Sequence, residues 1–535
     1  LKISKSYNQV PKPMSKDKLV KIKTALISVS DKTGLDTLVK YLNKNNTSII
    51  STGGTAKYIE SLDIEVDRVS DLTNFPEIMN GRIKTLNPLI YGGLLNRPVL
   101  DDDIQNELGI KNIDLIIVNL YPFEKTIAKD NVNEEDAIEN IDIGGPSMIR
   151  ASAKNFYSKT VVTDPSDYDS LIEELKKNGH SISYLIRKQL ALKAFNLTAL
   201  YDANIQSYFQ NSLINNQLPE KIILGLSKKN DLRYGENPHQ KAGLYSFNNS
   251  DNESLVNANI FQGKALSYNN FLDANTAMRC SQEFEEPCCV IVKHVNPCGV
   301  ALARNIHQAY KKAFETDPES AFGGVIAVNR IVDKDFAKYL INNQFLEVII
   351  APSYDEEALE VFKEKENIRV ISVENYKKNQ IDFQIQAIDG GFLVQEDDNV
   401  IAATDNLNFV TKKEPNKTQL EDLMFAWKVA KYVKSNAIIF ARNLQTIGIG
   451  AGQMSRVNSA KIASLKAAAS NLETKGAVMA SDGFFPFSDS IQMASKNKIE
   501  CIIQPGGSIK DQEVIDEANK ENISMVFTSI RHFRH

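Results

Sequence analysis

The chain has 535 residues, of which 42% are hydrophobic and 24% are charged, and its formal net charge is −5. The length predicts two or three domains, and the ordinary composition excludes a disordered protein. The small net charge gives no indication of nucleic-acid or membrane-surface binding, so an anionic substrate would be held by local clusters of side chains.

The cysteines and the N-terminal segment indicate the compartment. All five cysteines lie in the second half of the chain, and their spacing does not suggest a disulfide framework, which favours a reducing, cytoplasmic location. No apolar run is long enough to cross a bilayer. Residues 1–21 are interpreted as an N-terminal extension. A transit peptide is the less favoured alternative, because the segment is not clearly amphipathic.

The first half alternates short β-rich runs with helical patterns. Residues 24–30 predict a buried strand, and the next segment places Leu35, Leu38, Val39 and Leu42 at helical spacing. Further strands are predicted at 47–50, 114–120 and 159–164, and further helices at 56–62, 146–155 and 182–209. This alternation predicts a parallel sheet with helices on both faces.

The second half follows a linker predicted at 215–222. Eight further strand-like runs alternate with helical segments there. That many strands predict two α/β subdomains in this half of the chain.

Three turns rich in glycine or hydroxyl groups are predicted at strand ends, at 28–34, 51–55 and 140–147. Backbone amides at such turns bind phosphate, and open α/β sheets bind ligands beyond the carboxyl ends of their strands. Lys32 would add a positive charge. For each turn taken singly, an ordinary strand-to-helix turn is the favoured interpretation, and only the three turns together indicate a phosphate site.

Four residues of the first half could supply proton transfer and oxyanion stabilisation without a metal: Lys84, Tyr121, Asp142 and Lys154. Taken singly, each of them is better explained as a surface or capping residue, because lysine and aspartate side chains are mostly exposed.

In the second half, Lys293 and His294 are predicted at the end of a buried strand, before a Pro-Cys-Gly turn. Imidazole titrates near neutrality, so His294 is a candidate general acid–base, and a structural strand-end histidine is the alternative. The Pro-Cys pair suggests a zinc deaminase, but the second cysteine and the preceding His-x-Glu of that signature are missing. Cys288 and Cys289 are adjacent, which suits no common zinc spacing, so no catalytic metal is predicted.

The sequence motifs of the two halves resemble those of two domains of a known enzyme family. SVSDKTGL, STGGTAKYI, GRIKTLNP, NLYPF and IDIGGPSMIRASAKN resemble, in that order, the inosine monophosphate (IMP) cyclohydrolase domain, which is related in fold to methylglyoxal synthase. LRYGENPHQKAGLY, VKHVNPCG, TDPESAFGG, SNAIIFARN, IGIGAGQMSR, SDGFFPFSD, QPGGSIKD and SIRHFRH resemble the transformylase domain. Both domains occur in the order found in the bifunctional formyltransferase/IMP cyclohydrolase family of purine biosynthesis.

The resemblance implies an α/β fold, with a methylglyoxal-synthase-like parallel-sheet domain at 22–214 and a transformylase domain of two cytidine-deaminase-like subdomains at 215–535. It implies formyl transfer from 10-formyltetrahydrofolate to aminoimidazole carboxamide ribonucleotide (AICAR), followed by closure of the formylated product (FAICAR) to IMP. The implied partners are nucleotide and folate substrates and a second copy of the chain, without nucleic acid or membrane. Binding of a monovalent cation is left open.

The resemblance also assigns residues in the first domain. Ring closure is assigned to Lys84, Tyr121, Asp142 and Lys154, and nucleotide binding to Ser30, Asp31, Lys32, Thr52, Gly53, Gly54, Thr55, Arg82, Thr85, Asn119 and Ile143. One departure stands out, because Asn87 and Tyr91 replace histidines that are usual in the family. Loss of these imidazoles predicts an altered pH profile of ring closure.

In the transformylase domain, His294 is the implied acid–base residue, Lys293 supports the developing charge and Asn436 orients the carboxamide. Substrate contacts are assigned to Arg233, Tyr234, Gly324, Glu347, Arg456 and Arg531, and folate contacts to Val457, Phe484, Asp489, Ser508 and Ile509. Two alternatives remain, a transformylase whose first domain only binds a nucleotide for regulation, and a nucleotide sensor without catalysis.

Overall fold

A computed structural model describes residues 18–79, 82–128, 132–213, 218–247, 254–374 and 383–535. Most of the predicted N-terminal extension and part of the predicted linker lie outside the described residues. The chain divides into two compact units, Leu1–Leu226 and Ser227–His535. The predicted domain boundary at 214/215 stays a prediction. Within the described residues, no helix is long and apolar enough to span a membrane.

The elements of the first unit follow the predicted alternation of strands and helices. Its strands are β1 (Val20–Lys21), β2 (Thr24–Ser28), β3 (Ser48–Ser51), β4 (Asp67–Arg68), β5 (Leu115–Val118), β6 (Thr160–Val162) and β7 (Ser181–Ile182). Its helices are α1 (Leu35–Lys44), α2 (Gly53–Glu60), α3 (Val69–Thr73), α4 (Pro88–Leu95), α5 (Asp102–Leu108), α6 (Phe123–Ile127), α7 (Glu134–Glu139), α8 (Gly144–Lys154), α9 (Tyr168–Lys177) and α10 (Tyr184–Leu213).

A five-stranded parallel sheet in the order β4-β3-β2-β5-β6 forms the centre of this unit. Helices α1 and α9 pack on one face, and α4, α8 and α10 pack on the other. The apolar residues of α1 at helical spacing, Leu35, Leu38, Val39 and Leu42, are fully buried. The predicted parallel sheet with helices on both faces is therefore confirmed.

The second unit contains more strands than helices. Its strands are β8 (Leu226–Leu232), which begins at the unit boundary, β9 (Ala242–Phe247), β10 (Asn259–Gln262), β11 (Cys288–Lys293), β12 (Asn296–Leu302), β13 (Gly324–Val328), β14 (Leu346–Ala351), β15 (Arg369–Ser372), β16 (Phe383–Ile388), β17 (Gly391–Glu396), β18 (Asn408–Phe409), β19 (Ile438–Arg442), β20 (Gln445–Gly450), β21 (Val478–Ser481), β22 (Cys501–Gln504) and β23 (Ser524–Phe527). Its helices are α11 (Tyr268–Ser281), α12 (Ile306–Thr316), α13 (Pro318–Ala321), α14 (Lys334–Asn343), α15 (Glu356–Phe362), α16 (Lys417–Ala430), α17 (Arg456–Ala469), α18 (Asp489–Lys496) and α19 (Asp511–Lys520).

A 12-stranded sheet runs through the second unit in the order β10-β15-β14-β13-β11-β12-β20-β19-β21-β22-β23-β18. We call residues 259–372 the first repeat and residues 408–527 the second repeat, because each contains an antiparallel hairpin followed by three parallel strands. The repeats join where β12 pairs with β20. Helices α11 and α16 share one core on one face of the sheet, and each repeat has its own core on the other face.

The repeats correspond residue by residue around their hairpins. Helices α11 and α16 both begin with a capping box, at Ser267 and Asn416. A β-carbon at Gly299 on β12, or at Gly448 on β20, would fall within 2.2 Å of a helical carbonyl oxygen. Glycine is therefore required at both positions, where a helix crosses a hairpin strand closely. The predicted two subdomains are these two repeats.

Candidate active sites

The turn after β3 forms an open cradle at the start of α2. Gly53 has a φ of +46°, a conformation that glycine adopts without strain. A β-carbon at Gly53 or Gly54 would meet no atom within 4 Å, so there is open space beside both glycines. The buried Thr55 hydroxyl accepts from the Val29 N–H and donates to the Val29 carbonyl, which fixes the cradle against the end of β2. Thr52 lies beside Ser28 with their hydroxyls 3.2 Å apart. This geometry suits a phosphate.

The loop after β2 is held by Asn119 at the end of β5. The Asn119 side-chain oxygen accepts from the backbone N–H groups of Ser30 and Asp31, at 2.6 and 3.0 Å. Its amide nitrogen donates to the Asp31 carbonyl at 2.8 Å. The predicted nucleotide-contacting residues of this loop, with Lys32 between them and α1, thus lie at the same sheet edge as the cradle.

Asp142 lies at the start of α8 and is the most constrained carboxylate of the first unit's candidate site. Its Oδ1 accepts from the Gly145 N–H at 2.8 Å, and its own N–H donates to the Tyr201 hydroxyl at 2.7 Å. Burial raises the pKa of the Asp142 carboxyl, while the N–H groups of Gly145 and Tyr121 and the Lys84 ammonium oppose that rise. The structure therefore brings three of the four predicted ring-closure residues together.

The remaining residues around Asp142 are arranged as follows. The Thr85 hydroxyl lies so close to Gly144 that a β-carbon there would be 3.0 Å from it. Ile143 is exposed, and the exposed Arg82 pairs with Glu139. The predicted turn at 140–147 follows helix α7 and not a strand, which corrects that expectation. The turn still reaches the carboxyl edge of the sheet, because Asp142 bonds to the Tyr121 backbone just after β5.

Lys154, the fourth predicted ring-closure residue, does not lie beside Asp142. It is the exposed last residue of α8, whereas Asp142 precedes the first residue of that helix. A helix of 11 residues is about 16 Å long, so Lys154 lies at the opposite edge of the sheet. It borders an apolar groove between α8 and α10, lined by Ala153, Phe156, Leu185, Lys188, Leu192 and Phe195. Within one chain, Lys154 cannot share a substrate atom with Asp142.

The two positions that depart from the family pattern have different roles. Asn87 caps α4, since its side-chain oxygen accepts from the Leu89 N–H at 2.9 Å. The Tyr91 hydroxyl is buried beside Ser147 and Asp142 and has no hydrogen bond of good geometry to any described residue. Burial raises the pKa of this hydroxyl. Tyr91 therefore presents a polar group to the site, and the altered pH profile stays a prediction.

In the second unit, Lys293 and His294 lie at the tip of the β11–β12 hairpin. The sequence predicted a turn at Pro297–Gly299, but the turn is formed by His294 and Val295, whose φ angles are +53° and +65°. Pro-Cys-Gly instead belongs to β12. Lys293 donates to the Phe322 carbonyl at 2.6 Å, and His294 is exposed.

Two predicted substrate contacts begin the strands beside this turn. Gly324 is the first residue of β13, and β13 pairs with β11. On its other side, Gly324 pairs with Leu346, the first residue of β14. Glu347 is the second residue of β14 and accepts from the Asn270 side chain at 2.9 Å. The structure thus places Gly324 and Glu347 at the sheet edge that carries Lys293.

Asn296 connects this turn to the second repeat. Its amide nitrogen donates to the His294 carbonyl at 3.0 Å, and its oxygen accepts from the Lys434 N–H at 2.9 Å. Two residues later, Asn436 donates to the Gln453 carbonyl at 2.8 Å. Asn296 therefore ties the turn that carries Lys293 and His294 to the segment that carries Asn436.

The C-terminal segment closes over the same region. Arg456 hydrogen-bonds to the fully buried Asp482, whose other oxygen accepts from the Ser435 hydroxyl. The Phe533 ring contacts two guanidinium groups, at 5.4 Å from Arg456 and 4.3 Å from Arg531. Two arginines assigned to the substrate are thus side by side, next to the loop that carries Asn436.

Arg233 and Tyr234 follow β8, and the Arg233 guanidinium stacks on the Tyr234 ring at 5.4 Å. The loop that they begin contacts α11, because Asn269 donates to the Glu236 carbonyl at 3.3 Å. Helix α11 also faces the His294 turn. The pair therefore lies on the side of the unit that carries the candidate site.

The predicted folate residues lie in three neighbouring loops at the carboxyl edge of the second repeat or in the first turn of the helix that follows. Phe484 and Asp489 follow β21, Ser508 and the fully exposed Ile509 follow β22, and Val457 lies in the first turn of α17. Lys510 stacks on Phe487 at 4.7 Å, which joins the first two loops. The exposed apolar side chains here suit a flat ring system.

Sequence reasoning missed Asp273, Asn296 and Asp482, all of which hold the assigned residues in place. Only the recurrence of Asp273 and Asp422 in matching helices could have indicated the first of them. Among the described residues, no group of three histidines, cysteines or acidic residues could hold a metal ion. All five cysteines are buried, and burial raises the pKa of each thiol, so none is an activated nucleophile.

The chain matches two protein-family models. Residues 152–466, more than half of the chain, match the family model described as AICARFT/IMPCHase bienzyme, and residues 34–147 match the MGS-like domain model. A solved structure entitled "Crystal structure of ForH" is 32% identical, with a TM-score of 0.33, and the match covers 35% of this chain and 99% of that chain.

Proposed function

Since the chain belongs to the AICARFT/IMPCHase bienzyme family, we propose that it transfers a formyl group from 10-formyltetrahydrofolate to AICAR and then closes FAICAR to IMP. Membership confirms the predicted family, the α/β fold class and the enzyme class, a transferase joined to a cyclohydrolase that serves the final steps of purine biosynthesis. A formyltransferase of this family uses a folate co-substrate. The specific reactions and the residues that perform them are our proposal.

The observation that carries the proposal is the link through Asn296 between the turn that carries Lys293 and His294 and the segment that carries Asn436. The amine of AICAR is a poor nucleophile, because its lone pair is delocalised into the ring. Asn436 orients the neighbouring carboxamide, and His294 removes a proton from the amine as it attacks the formyl carbon. Lys293 stabilises the negative charge that develops on the formyl oxygen. The bond to the folate nitrogen then breaks, and that nitrogen takes up a proton to give tetrahydrofolate.

Ring closure is proposed for the first unit. The cradle at Gly53 and Gly54 holds the nucleotide phosphate, supported by the loop that Asn119 clamps. The amide nitrogen of FAICAR attacks its formyl carbon, and water leaves. Lys84 and Tyr121 stabilise the oxyanion, and the buried Asp142 exchanges protons with the reacting nitrogen and oxygen.

A second copy of the chain reconciles the position of Lys154 with its proposed role. If Lys154 acts in ring closure, the geometry requires that it come from the partner subunit. The face around it supports this, because Leu185 and Leu192 on α10 are each 62% exposed beside the apolar groove. We therefore propose a cytoplasmic homodimer whose α8–α10 face meets the other subunit.

A substrate assay tests the proposal. The full chain is incubated with AICAR and 10-formyltetrahydrofolate, and then with FAICAR alone, while tetrahydrofolate and IMP are measured. Both products are expected. Formyl transfer without closure of FAICAR would support a transformylase whose first unit only binds a nucleotide for regulation. Absence of both products would support a nucleotide sensor without catalysis.

A further inference from the structure

We propose that Asp273 is the positioning residue for His294, and that its carboxylate holds the two-residue turn on which the imidazole sits. This inference deepens the proposed transformylase function and rests on it. Asp273 lies in the second turn of α11, whose start is fixed by a capping box at Ser267. The carboxylate is therefore presented by a rigid element.

The contacts join the carboxylate to the backbone of the turn. The Val295 N–H donates to Asp273 Oδ1 at 2.6 Å, and the His294 N–H also hydrogen-bonds to this carboxylate. Helix, carboxylate and hairpin tip are thus connected without any contact to the imidazole ring being needed. Asp273 acts on His294 through the backbone.

The turn needs such support. His294 and Val295 both have left-handed φ angles, +53° and +65°, which is the pattern of a type I′ turn. Asn-Gly is the favoured pair for this turn, and a β-branched residue such as valine adopts a positive φ only where its surroundings impose it. The two amides that point at Asp273 supply that constraint.

In the second repeat, an aspartate also accepts hydrogen bonds from the two residues of a hairpin turn, but that turn contains no histidine. There Asp422 on α16 accepts from Asn443 and Leu444 at 2.9 and 2.7 Å, and these residues have φ angles of +53° and +55°. The spacing along the chain is the same from Asp273 to His294 as from Asp422 to Asn443. One carboxylate holds a turn with an imidazole, and the other holds a turn without one.

This duplication provides a matched control within the molecule. Asparagine in place of either aspartate keeps one acceptor oxygen but presents its amide NH2 group to the other backbone N–H. One hydrogen bond of the turn is therefore lost. Both variants should lose similar stability. Only Asp273→Asn should displace an imidazole.

The experiment compares Asp273→Asn, Asp422→Asn and His294→Ala in the full chain, with kcat and KM of formyl transfer, ring closure and the thermal midpoint as readouts. Asp273→Asn should lower the kcat of formyl transfer about tenfold or more with KM changed less than about twofold, because small misplacements of a reacting group are costly. Ring closure should be unchanged, and Asp422→Asn should keep both activities within about twofold at a similar midpoint.

Equal effects of the two asparagine variants on kcat would overturn the inference while leaving the proposed function intact. Retention of formyl transfer by His294→Ala would overturn the inference together with the acid–base role proposed for His294, whereas absence of formyl transfer in the wild-type chain would overturn the proposed function. If Asp273→Asn does not fold, Asp273→Glu and Asp422→Glu give the same comparison, because the longer side chain moves the carboxylate while keeping its charge.

Discussion

The Asn296 side-chain oxygen accepts a hydrogen bond from the Lys434 N–H at 2.9 Å, which ties the hairpin carrying His294 to the loop carrying Asn436. The same amide donates to the His294 carbonyl at 3.0 Å. A single side chain thus sets the distance between the proposed base and the residue that orients its substrate. The proposed transformylase site depends on both repeats.

Asn296→Ala should separate these two elements. Loss of a partly buried hydrogen-bonding side chain costs about 1–3 kcal/mol, so kcat/KM of formyl transfer should fall about tenfold or more. Gln445, which occupies the matching position of the other hairpin and bonds to the Lys312 carbonyl, is the control. An equal loss in Gln445→Ala would show that the effect is general destabilisation of the sheet.

The phosphate cradle can be tested with glycine substitutions. Gly54→Ala places a methyl group in open space without backbone strain, so stability should be unchanged while KM for FAICAR rises about tenfold through loss of a phosphate contact. Gly53→Ala should also lower stability by about 1–2 kcal/mol, because its φ is +46°.

Gly109→Ala is the control for backbone strain in Gly53→Ala, because Gly109 also has a positive φ, +63°, at the end of α5 and open space around it. It should lower the unfolding midpoint without changing KM. A normal KM in Gly54→Ala would place the phosphate elsewhere.

Asp142 should make the stability of the first unit depend on pH. Burial raises its folded-state pKa above the ordinary 3.8, so the folded chain binds this proton more readily than the unfolded chain. Its contribution to stability is then present at low pH and is lost as pH rises from the ordinary value through the raised one.

Urea midpoints of wild type and Asp142→Asn, measured at about pH 4.5 and about pH 7.5, test this linkage. The urea midpoint of Asp142→Asn minus that of wild type should be larger at the higher pH than at the lower one. A difference that falls instead would mean that the native carboxylate is net stabilised by its hydrogen bonds. Ring closure by the variant should be strongly reduced at both values.

Subunit complementation tests the placement of Lys154. Co-expressed Lys84→Ala and Lys154→Ala chains should form hybrid dimers in which one site has both lysines. Random pairing would then restore about one quarter of wild-type ring closure, although each variant alone is inactive. Absence of recovery in verified hybrid dimers would contradict the partner origin of Lys154.

The sequence predicted the parallel strands of both units apart from the two-residue β4, because parallel strands buried on two faces appear as continuous apolar runs such as 114–120. It did not predict half of the described strands of the second unit, among them the hairpin strands β12 and β20. It misplaced the turn at Pro297–Gly299, since nothing local indicates that His294 and Val295 adopt left-handed angles. That conformation depends on Asp273, which lies on another element. Long-range hydrogen bonds of this kind are not encoded in local composition.

The same limit applies to Lys154. A lysine 12 positions after Asp142 fits the family motif, but only the helix between them shows that the two residues lie at opposite sheet edges. The position of Gly324 and Glu347 at the sheet edge that carries Lys293 follows from sheet register, which the sequence alone does not fix.

In the proposed function, each unit carries one of the two reactions. Formyl transfer and ring closure are measured separately in His294→Ala and Lys84→Ala, with circular dichroism and thermal midpoints to verify folding. His294→Ala should lose formyl transfer and keep closure of supplied FAICAR, and Lys84→Ala should show the reverse. Loss of both reactions in either folded variant would contradict the assignment of one reaction to each unit.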